Sequence, residues 1–247
     1  FLDAVQRDPF FLWYAPFLPH TPHDSPERFK RSVAADPTVK PHEVPYFAAI
    51  MQFDDTVGRL MQMIEQRGLD DETWFVFVSD NGLAPDPARF RKATKEWDHT
   101  RSSKRSPFEP GLRTPILIRW AGRTKPGKHA GLVNTIDLMP TLLDAAGVKD
   151  RPLDLPGISL WPSAIGQQTL SIERAVFGEI YPGDASSIGA PERDLAYRWV
   201  RKGRYKLIVP VSHRTQSPWN KYVESPALFD LVRDPKERNN LIGDPSL

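Results

Sequence analysis

Cysteine is absent from the 247 residues. That excludes disulfides, thiolate metal sites, a cysteine nucleophile and any catalytic group made by modifying a cysteine within this chain, and it leaves the redox compartment unread. Long apolar runs are missing as well. The longest apolar stretch free of Asp, Glu, Lys and Arg is residues 9–23 (PFFLWYAPFLPHTPH), shorter than a membrane span and broken by four prolines, so no transmembrane helix is expected. The opening FLDAVQRD lacks an initiator Met, a basic n-region and a long apolar h-region, so it does not read as a signal peptide. It reads as a cut inside a helix, and the chain is expected to be a fragment.

What is present describes a folded protein. Hydrophobic residues make up 40% and charged residues 26%, with 13 Phe, 7 Trp and 6 Tyr, which excludes a disordered chain. The 25 prolines follow no repeat, which excludes a collagen-like chain and predicts many irregular loops. Net charge is only +2, but residues 89–128 hold 12 Lys+Arg against 3 Asp+Glu, an anion-attracting segment. No helix-turn-helix pattern, zinc-finger spacing or RNA-binding aromatic motif accompanies it, so no nucleic-acid partner is expected.

Periodicity organises the chain. Residues 10–17 (FFLWYAPF) form a near-continuous apolar run that predicts a strand buried on both faces, ending in a Pro-rich loop with His20 and His23. From about Glu43 to Gln66, Val44, Phe47, Met51, Val57, Leu60, Met61 and Ile64 recur at helical spacing, and Gly68 supplies a stop. Residues 73–79 (TWFVFVS) predict a strand that delivers Asp80-Asn81-Gly82 just past its end. A strand at 115–120 and a helix near 135–146 follow. The alternation predicts an α/β fold with a large, mainly parallel or mixed sheet flanked by helices, in which ligands gather beyond the carboxyl ends of strands. Beyond about Asp150, β-prone runs at 175–180, 196–202, 205–209 and 227–231 predict a small antiparallel sheet, with Gly203 as a turn. The expected division is 1–150 for the α/β part and 151–247 for a C-terminal α+β subdomain.

Several residues could carry chemistry. Asp80 and Asn81 offer two hard oxygen donors suited to Ca²⁺ or Mg²⁺, although Asp-Asn-Gly is also a common turn and two ligands do not fill a shell of six to eight. Asp54-Asp55 lies mid-helix with its side chains about 100° apart and is expected to be solvated. His20 sits in a rigid loop after a strand, where an acid or anion donor would serve, and His23 competes for that role. Lys104, Arg105 and Arg113 stand just before a strand, and both side-chain types bind tetrahedral oxyanions.

The order of these motifs resembles the sulfatase family of the alkaline phosphatase superfamily, in its C-terminal portion. The resemblance rests on strand-His-x-Pro ending at Pro22, strand-Asp-Asn-Gly ending at Gly82, Lys-x-Ser-x-Phe-Glu-x-Gly-x-Arg over 104–113 followed by Thr-Pro, IDLMPTLLDAAG, LPGISL and the closing ALFDLVRDPKERNNL. It implies that Asp80 and Asn81 bind a divalent cation, usually Ca²⁺, that His20 assists the leaving group and that Lys104 binds a sulfate oxygen. His23, Arg105 and Arg113 would contact substrate. The family's nucleophile is a formylglycine made from Cys or Ser in Cys/Ser-x-Pro-x-Arg; that motif, the Asp-Asp metal pair and the Lys-x-His segment do not occur here, and Pro110 replaces the first glycine of the usual Glu-Gly-Gly. The expectation is a sulfuric ester hydrolase acting on a sulfated small molecule or saccharide, inactive as this chain alone, exported or lysosomal in its compartment, and prone to self-associate through an exposed apolar strand edge. The alternatives are a phosphomonoester, phosphodiester or phosphonate hydrolase of the same superfamily, and a non-catalytic binder of sulfated polymers.

Overall fold

The computed structural model describes residues 1–5, 8–82, 103–150, 154–211 and 222–246. The chain folds as two compact units, Phe1–Thr73 and Trp74–Leu247.

The first unit is helical. After a single turn, α1 (Leu2–Val5), come α2 (Glu27–Ala34) and α3 (Val44–Glu65), the helix predicted by the apolar spacing. Phe29 and Val33 of α2 and Ala48 of α3 are buried together, with Val39 and Val44 packed against them. Pro45 stands in the first turn of α3, where its missing N–H costs nothing. At the other end Gly68 takes φ +66°, a left-handed conformation that only glycine adopts without strain, and the Leu69 N–H turns back to the Ile64 carbonyl to close the helix. Asp54 is exposed and Asp55 pairs with Arg59 at 3.0 Å, as expected of solvated helix carboxylates.

One expectation for this unit fails. Residues 10–17 form no strand: they belong to no regular element, and Phe11, Trp13 and Phe17 are 68%, 82% and 69% exposed. Among the described residues no strand pairs with this run. Apolar side chains alone do not make a strand, because its backbone N–H and C=O groups need a ladder partner.

The second unit holds two sheets. β1 (Trp74–Val78) and β2 (Ile116–Trp120) form an antiparallel ladder in which Trp74 faces Trp120 and Val78 faces Ile116. Every described ladder is antiparallel, so the described strands do not form the predicted parallel arrangement. The strand-helix alternation that suggested crossovers fixes no direction here, since a connection of more than thirty residues can return a strand either way. A short helix, α4 (Glu109–Leu112), precedes β2, and α5 (Leu138–Ala145) and α6 (Trp161–Ala164) follow it. Trp161 packs edge-on to Trp74, with ring centroids 5.9 Å apart, and lies 5.4 Å from Trp120.

The turn into α5 is fixed by a buried carboxylate. Asp137 accepts both arms of the Arg174 guanidinium at 2.6 Å, together with the N–H groups of Asn134 and Ile158. Gly157 of the LPGISL loop has φ +92°, and a Cβ there would stand 2.5 Å from the Ile136 carbonyl oxygen, so this loop lies directly on the start of the helix.

The second sheet runs β3 (Ala175–Ile180), β4 (Tyr197–Lys202), β5 (Tyr205–Pro210), β6 (Ala227–Asp230), antiparallel throughout and close to the predicted spans. Ile180, Tyr197, Ile208 and Phe229 are buried with Tyr222 and with Phe108, the residue that leads into α4. At the β4–β5 hairpin, Lys202 pairs with Tyr205 across Gly203-Arg204, and Arg204 forks onto the buried Asp230 of β6.

The Arg204 guanidinium, aided by the N–H groups of Val232 and Arg233, holds the Asp230 carboxyl below its ordinary 3.8. A carboxylate depressed in the folded state contributes stability that is present above its unfolded pKa and lost as pH falls through the folded value. Asp230→Asn is therefore expected to lower the urea midpoint at pH 7 and to converge on wild type as pH falls through the lowered folded value. A difference that stays constant with pH would exclude this linkage.

Candidate active site

Asp80-Asn81-Gly82 follows β1 directly. The Asp80 Oδ1 accepts the Asn81 N–H at 2.8 Å, the Ser79 hydroxyl donates to the Asn81 carbonyl, and the Asn81 Nδ2 donates to the Gly82 carbonyl at 2.8 Å. These bonds use neither Asp80 Oδ2 nor the Asn81 side-chain oxygen, the two hard donors singled out in the sequence.

Backbone contact welds this turn to the basic segment. The Gly82 N–H donates to the Gly111 carbonyl at 3.0 Å. A Cβ at Gly82 would stand 1.9 Å from the Pro110 carbonyl oxygen, and one at Gly111 would stand 2.4 Å from the Ser103 carbonyl oxygen. No other residue type allows such approaches. Pro110 itself occupies the first turn of α4, where its ring suits the helix and no N–H is required, so this departure from Glu-Gly-Gly is absorbed locally.

Lys104 and Arg105 lie in a tight turn whose flanking Ser103 and Ser106 are buried. Arg105 has φ +75°, a left-handed conformation that for a non-glycine residue costs on the order of 1 kcal/mol and is held by its surroundings. The turn is anchored through Glu109. The Glu109 N–H donates to Glu237 Oε2 at 2.7 Å, and its carboxylate meets Arg201 Nη1 at 2.7 Å and Lys206 Nζ at 3.2 Å. Lys206 also lies 2.9 Å from Glu237 Oε1, and both side chains are fully buried. Burial pushes the Glu237 carboxyl above its ordinary value, against the opposing pull of Lys206.

These segments converge on one cleft of about 400 Å³, lined by Asp80, Asn81, Lys104 and Arg105. Its other wall comes from the end of β3, with Glu179, Ile180 and Tyr181. The sequence reading missed Glu179 and Tyr181, treating their strand as structural only; the available signal was a polar pair alternating with buried Ile180 at a strand's carboxyl end. The Tyr181 hydroxyl donates to Glu179 Oε2 at 2.6 Å and Arg198 Nε donates to Glu179 Oε1 at 2.9 Å. Together these bonds hold the Glu179 carboxyl below its usual range, and the same carboxylate pushes the Tyr181 phenol up.

Arg113 is exposed just beyond α4 and is not among the cleft residues. His20 and His23 belong to the first unit. The His20 Nδ1 lies 2.8 Å from the Thr21 carbonyl, so it carries the hydrogen, and the ring packs on Phe17 at 4.9 Å between centroids. The half-buried His23 lies 3.2 Å from the Pro19 carbonyl through Nε2. Of the basic segment, residues 89–102 lie outside the described residues.

A divalent cation is a partial fit to the cleft. Asp80 and Asn81 present the right donor chemistry, but among the described residues no group of three His, Cys, Asp or Glu side chains is placed to hold an ion. Two oxygens fall short of a six- to eight-ligand shell.

Similarity to known proteins covers nearly the whole chain. The Sulfatase family model matches residues 1–148, and a model described as N-sulphoglucosamine sulphohydrolase, C-terminal, matches residues 97–247. The chain is 31% identical to arylsulfatase A of Homo sapiens over 98% of its own length and 46% of that protein's. It is 26% identical to an N-acetylgalactosamine-6-O-sulfatase of Bacteroides thetaiotaomicron over 98% of its length and 45% of the relative's. A solved sulfatase from the study of glycosaminoglycan metabolism in Bacteroides thetaiotaomicron superposes with a TM-score of 0.72 at 24% identity, over 97% of this chain and 48% of that one. The chain therefore belongs to the sulfatase family and has its α/β fold, and it spans about half the length of these relatives.

Gly82→Ala tests whether backbone contact builds the cleft. The added methyl must part the Asp80 turn from Pro110-Gly111, and the expected result is a loss of about 1–3 kcal/mol in denaturant unfolding, as for an overpacked site. A variant as stable as wild type would show that the two segments are not locked together.

Proposed function

We propose that the complete protein hydrolyses sulfate esters and that the cleft between the Asp80 turn and the Lys104 turn receives the sulfate group. The observation that carries this reading is the convergence of Asp80, Asn81, Lys104 and Arg105 on one cavity. Sulfate transfer requires charge to be neutralised on the equatorial oxygens and on the departing alkoxide, in a site organised beforehand. Lys104, a compact cation with three donors, suits a sulfate oxygen, and Arg105 adds a second cation on the same wall.

Asp80 and Asn81 would supply two of the oxygen ligands of a hard divalent cation, Ca²⁺ or Mg²⁺, which when bound contributes further positive charge beside the ester. The remaining ligands and the formylglycine nucleophile expected of the family would come from outside these 247 residues. His20 is assigned to the leaving alcohol. Its Nδ1 hydrogen is committed to the Thr21 carbonyl, which fixes the ring and leaves Nε2 to hold or give up a proton. His23 and Arg113 are assigned weaker contacts with the substrate. In family terms, residues 1–150 would be the later part of a catalytic α/β domain whose sheet is completed by parallel strands, and 151–247 the C-terminal subdomain. A sulfated saccharide is the expected substrate class, supported by the sugar 6-O-sulfatase among the relatives.

In the full-length protein with Ca²⁺ supplied, Lys104→Ala is expected to lower kcat/KM for p-nitrophenyl sulfate by roughly 10²–10³-fold, the scale for removing one oxyanion donor. A rate within a few-fold of wild type would reject this role. Faster turnover of p-nitrophenyl phosphate than of the sulfate by the wild type would move the reading to phosphate ester chemistry.

A further inference from the structure

We infer that Glu179 and Tyr181 form the wall that binds the alcohol part of the substrate, and that they select a polyhydroxylated, sugar-like leaving group over a planar aryl one. The inference rests on the functional reading above and adds to it the recognition of the group that leaves.

The geometry divides the cleft by chemistry. Both cations that line it, Lys104 and Arg105, come from the turn before α4, whereas the end of β3 contributes Glu179, Ile180 and Tyr181. A sulfate is drawn toward Lys104 and Arg105 and repelled by the two carboxylates that line the cleft, Asp80, which the reading above assigns to a cation, and Glu179. The second wall is therefore suited to the part of the ester that carries hydrogen-bond donors and no charge.

Glu179 is built as an acceptor. Its carboxylate is held ionised by one bond on each oxygen, from the Tyr181 hydroxyl at 2.6 Å and from Arg198 Nε at 2.9 Å. An ionised carboxylate offers about four lone-pair sites, so two remain for hydroxyl donors. The two existing bonds also fix the side chain, which lowers the ordering cost of binding. Tyr181, half exposed, offers a ring face on which the C–H surface of a pyranose can lie while its hydroxyl stays committed to Glu179. An aryl sulfate has no hydroxyl donors and uses only the ring contact.

Kinetics on the full-length protein with galactose 6-sulfate and p-nitrophenyl sulfate tests this. Glu179→Gln keeps the shape and removes the charged acceptor, and Tyr181→Phe keeps the ring and releases Glu179. The ratio of kcat/KM for the sugar ester to that for the aryl ester is expected to fall about tenfold in Glu179→Gln, the scale of one hydrogen bond to a charged group, and less in Tyr181→Phe. A ratio unchanged in Glu179→Gln overturns the inference, as does an equal loss on both esters, which a merely structural role would produce. If the wild type turns over neither ester, the functional reading fails. The same pair is then compared by calorimetric binding, where loss of affinity for galactose 6-sulfate with retained affinity for inorganic sulfate supports the wall, and any other pattern, including no binding, overturns it.

Discussion

The second unit is organised around a largely buried charge cluster. Lys206, near the start of β5, is fully buried with its ammonium between Glu237 of the C-terminal segment and Glu109 of α4, while Arg201 of β4 takes the other oxygen of Glu109. Two cations and two carboxylates cancel, which is the condition for burying them at all. Each ion costs several kcal/mol to desolvate, and removing one partner from such a pair is worth roughly 3–5 kcal/mol because the other is left uncompensated. The cluster does little for net stability compared with an apolar core. What it does is tie three parts distant in sequence to one geometry. Glu237 holds the Glu109 N–H as well as the ammonium, and it does so from a left-handed backbone position at φ +53°.

The cleft inherits its order from that cluster. Beside Glu109, Phe108 inserts into the sheet's core, edge-on to Tyr222 at 5.6 Å and to Phe229 at 6.1 Å between ring centroids. One residue is thus held by ion pairs and its neighbour by aromatic packing, so the segment can neither slide nor rotate. The Lys104-Arg105 turn lies just upstream, and Gly82 bonds to Gly111 just downstream. Cations that must meet an oxyanion in a defined place are useful only when their backbone is fixed in advance. Here the fixing comes from a tail more than one hundred residues away in sequence.

The local elements were legible because they follow local rules. Helical spacing with a glycine stop found α3, β-prone runs found the six described strands to within a residue or two, and Asp80-Asn81 and Lys104-Arg105 were singled out by residue type and position. Four things were not legible. Strand direction between β1 and β2 depends on a long connection that carries no directional signal. The apolar run at 10–17 contains nothing that reports whether a ladder partner exists. Glu109, Lys206 and Glu237 read as ordinary surface charges, since charged residues are seldom buried and their pairing spans up to 128 residues. Glu179 and Tyr181 were missed for a related reason: their place on the cleft is set by tertiary structure and not by any motif.

The charges around the cleft bear on what it can hold. Lys104 and Arg105 attract an oxyanion, but Asp80, on the same cavity, repels one. A site for a free sulfate would gain from an uncharged donor at position 80, because like charges that share one cleft disfavour each other. The carboxylate would instead be an asset in holding a divalent cation, which would add positive charge beside the ester. The Asn81 amide oxygen beside it is a neutral donor of the kind such a cation accepts, and the turn's own hydrogen bonds leave that oxygen and Asp80 Oδ2 unused. The juxtaposition of an acidic turn and a basic turn in one cavity is therefore compatible with the metal-assisted reading proposed above.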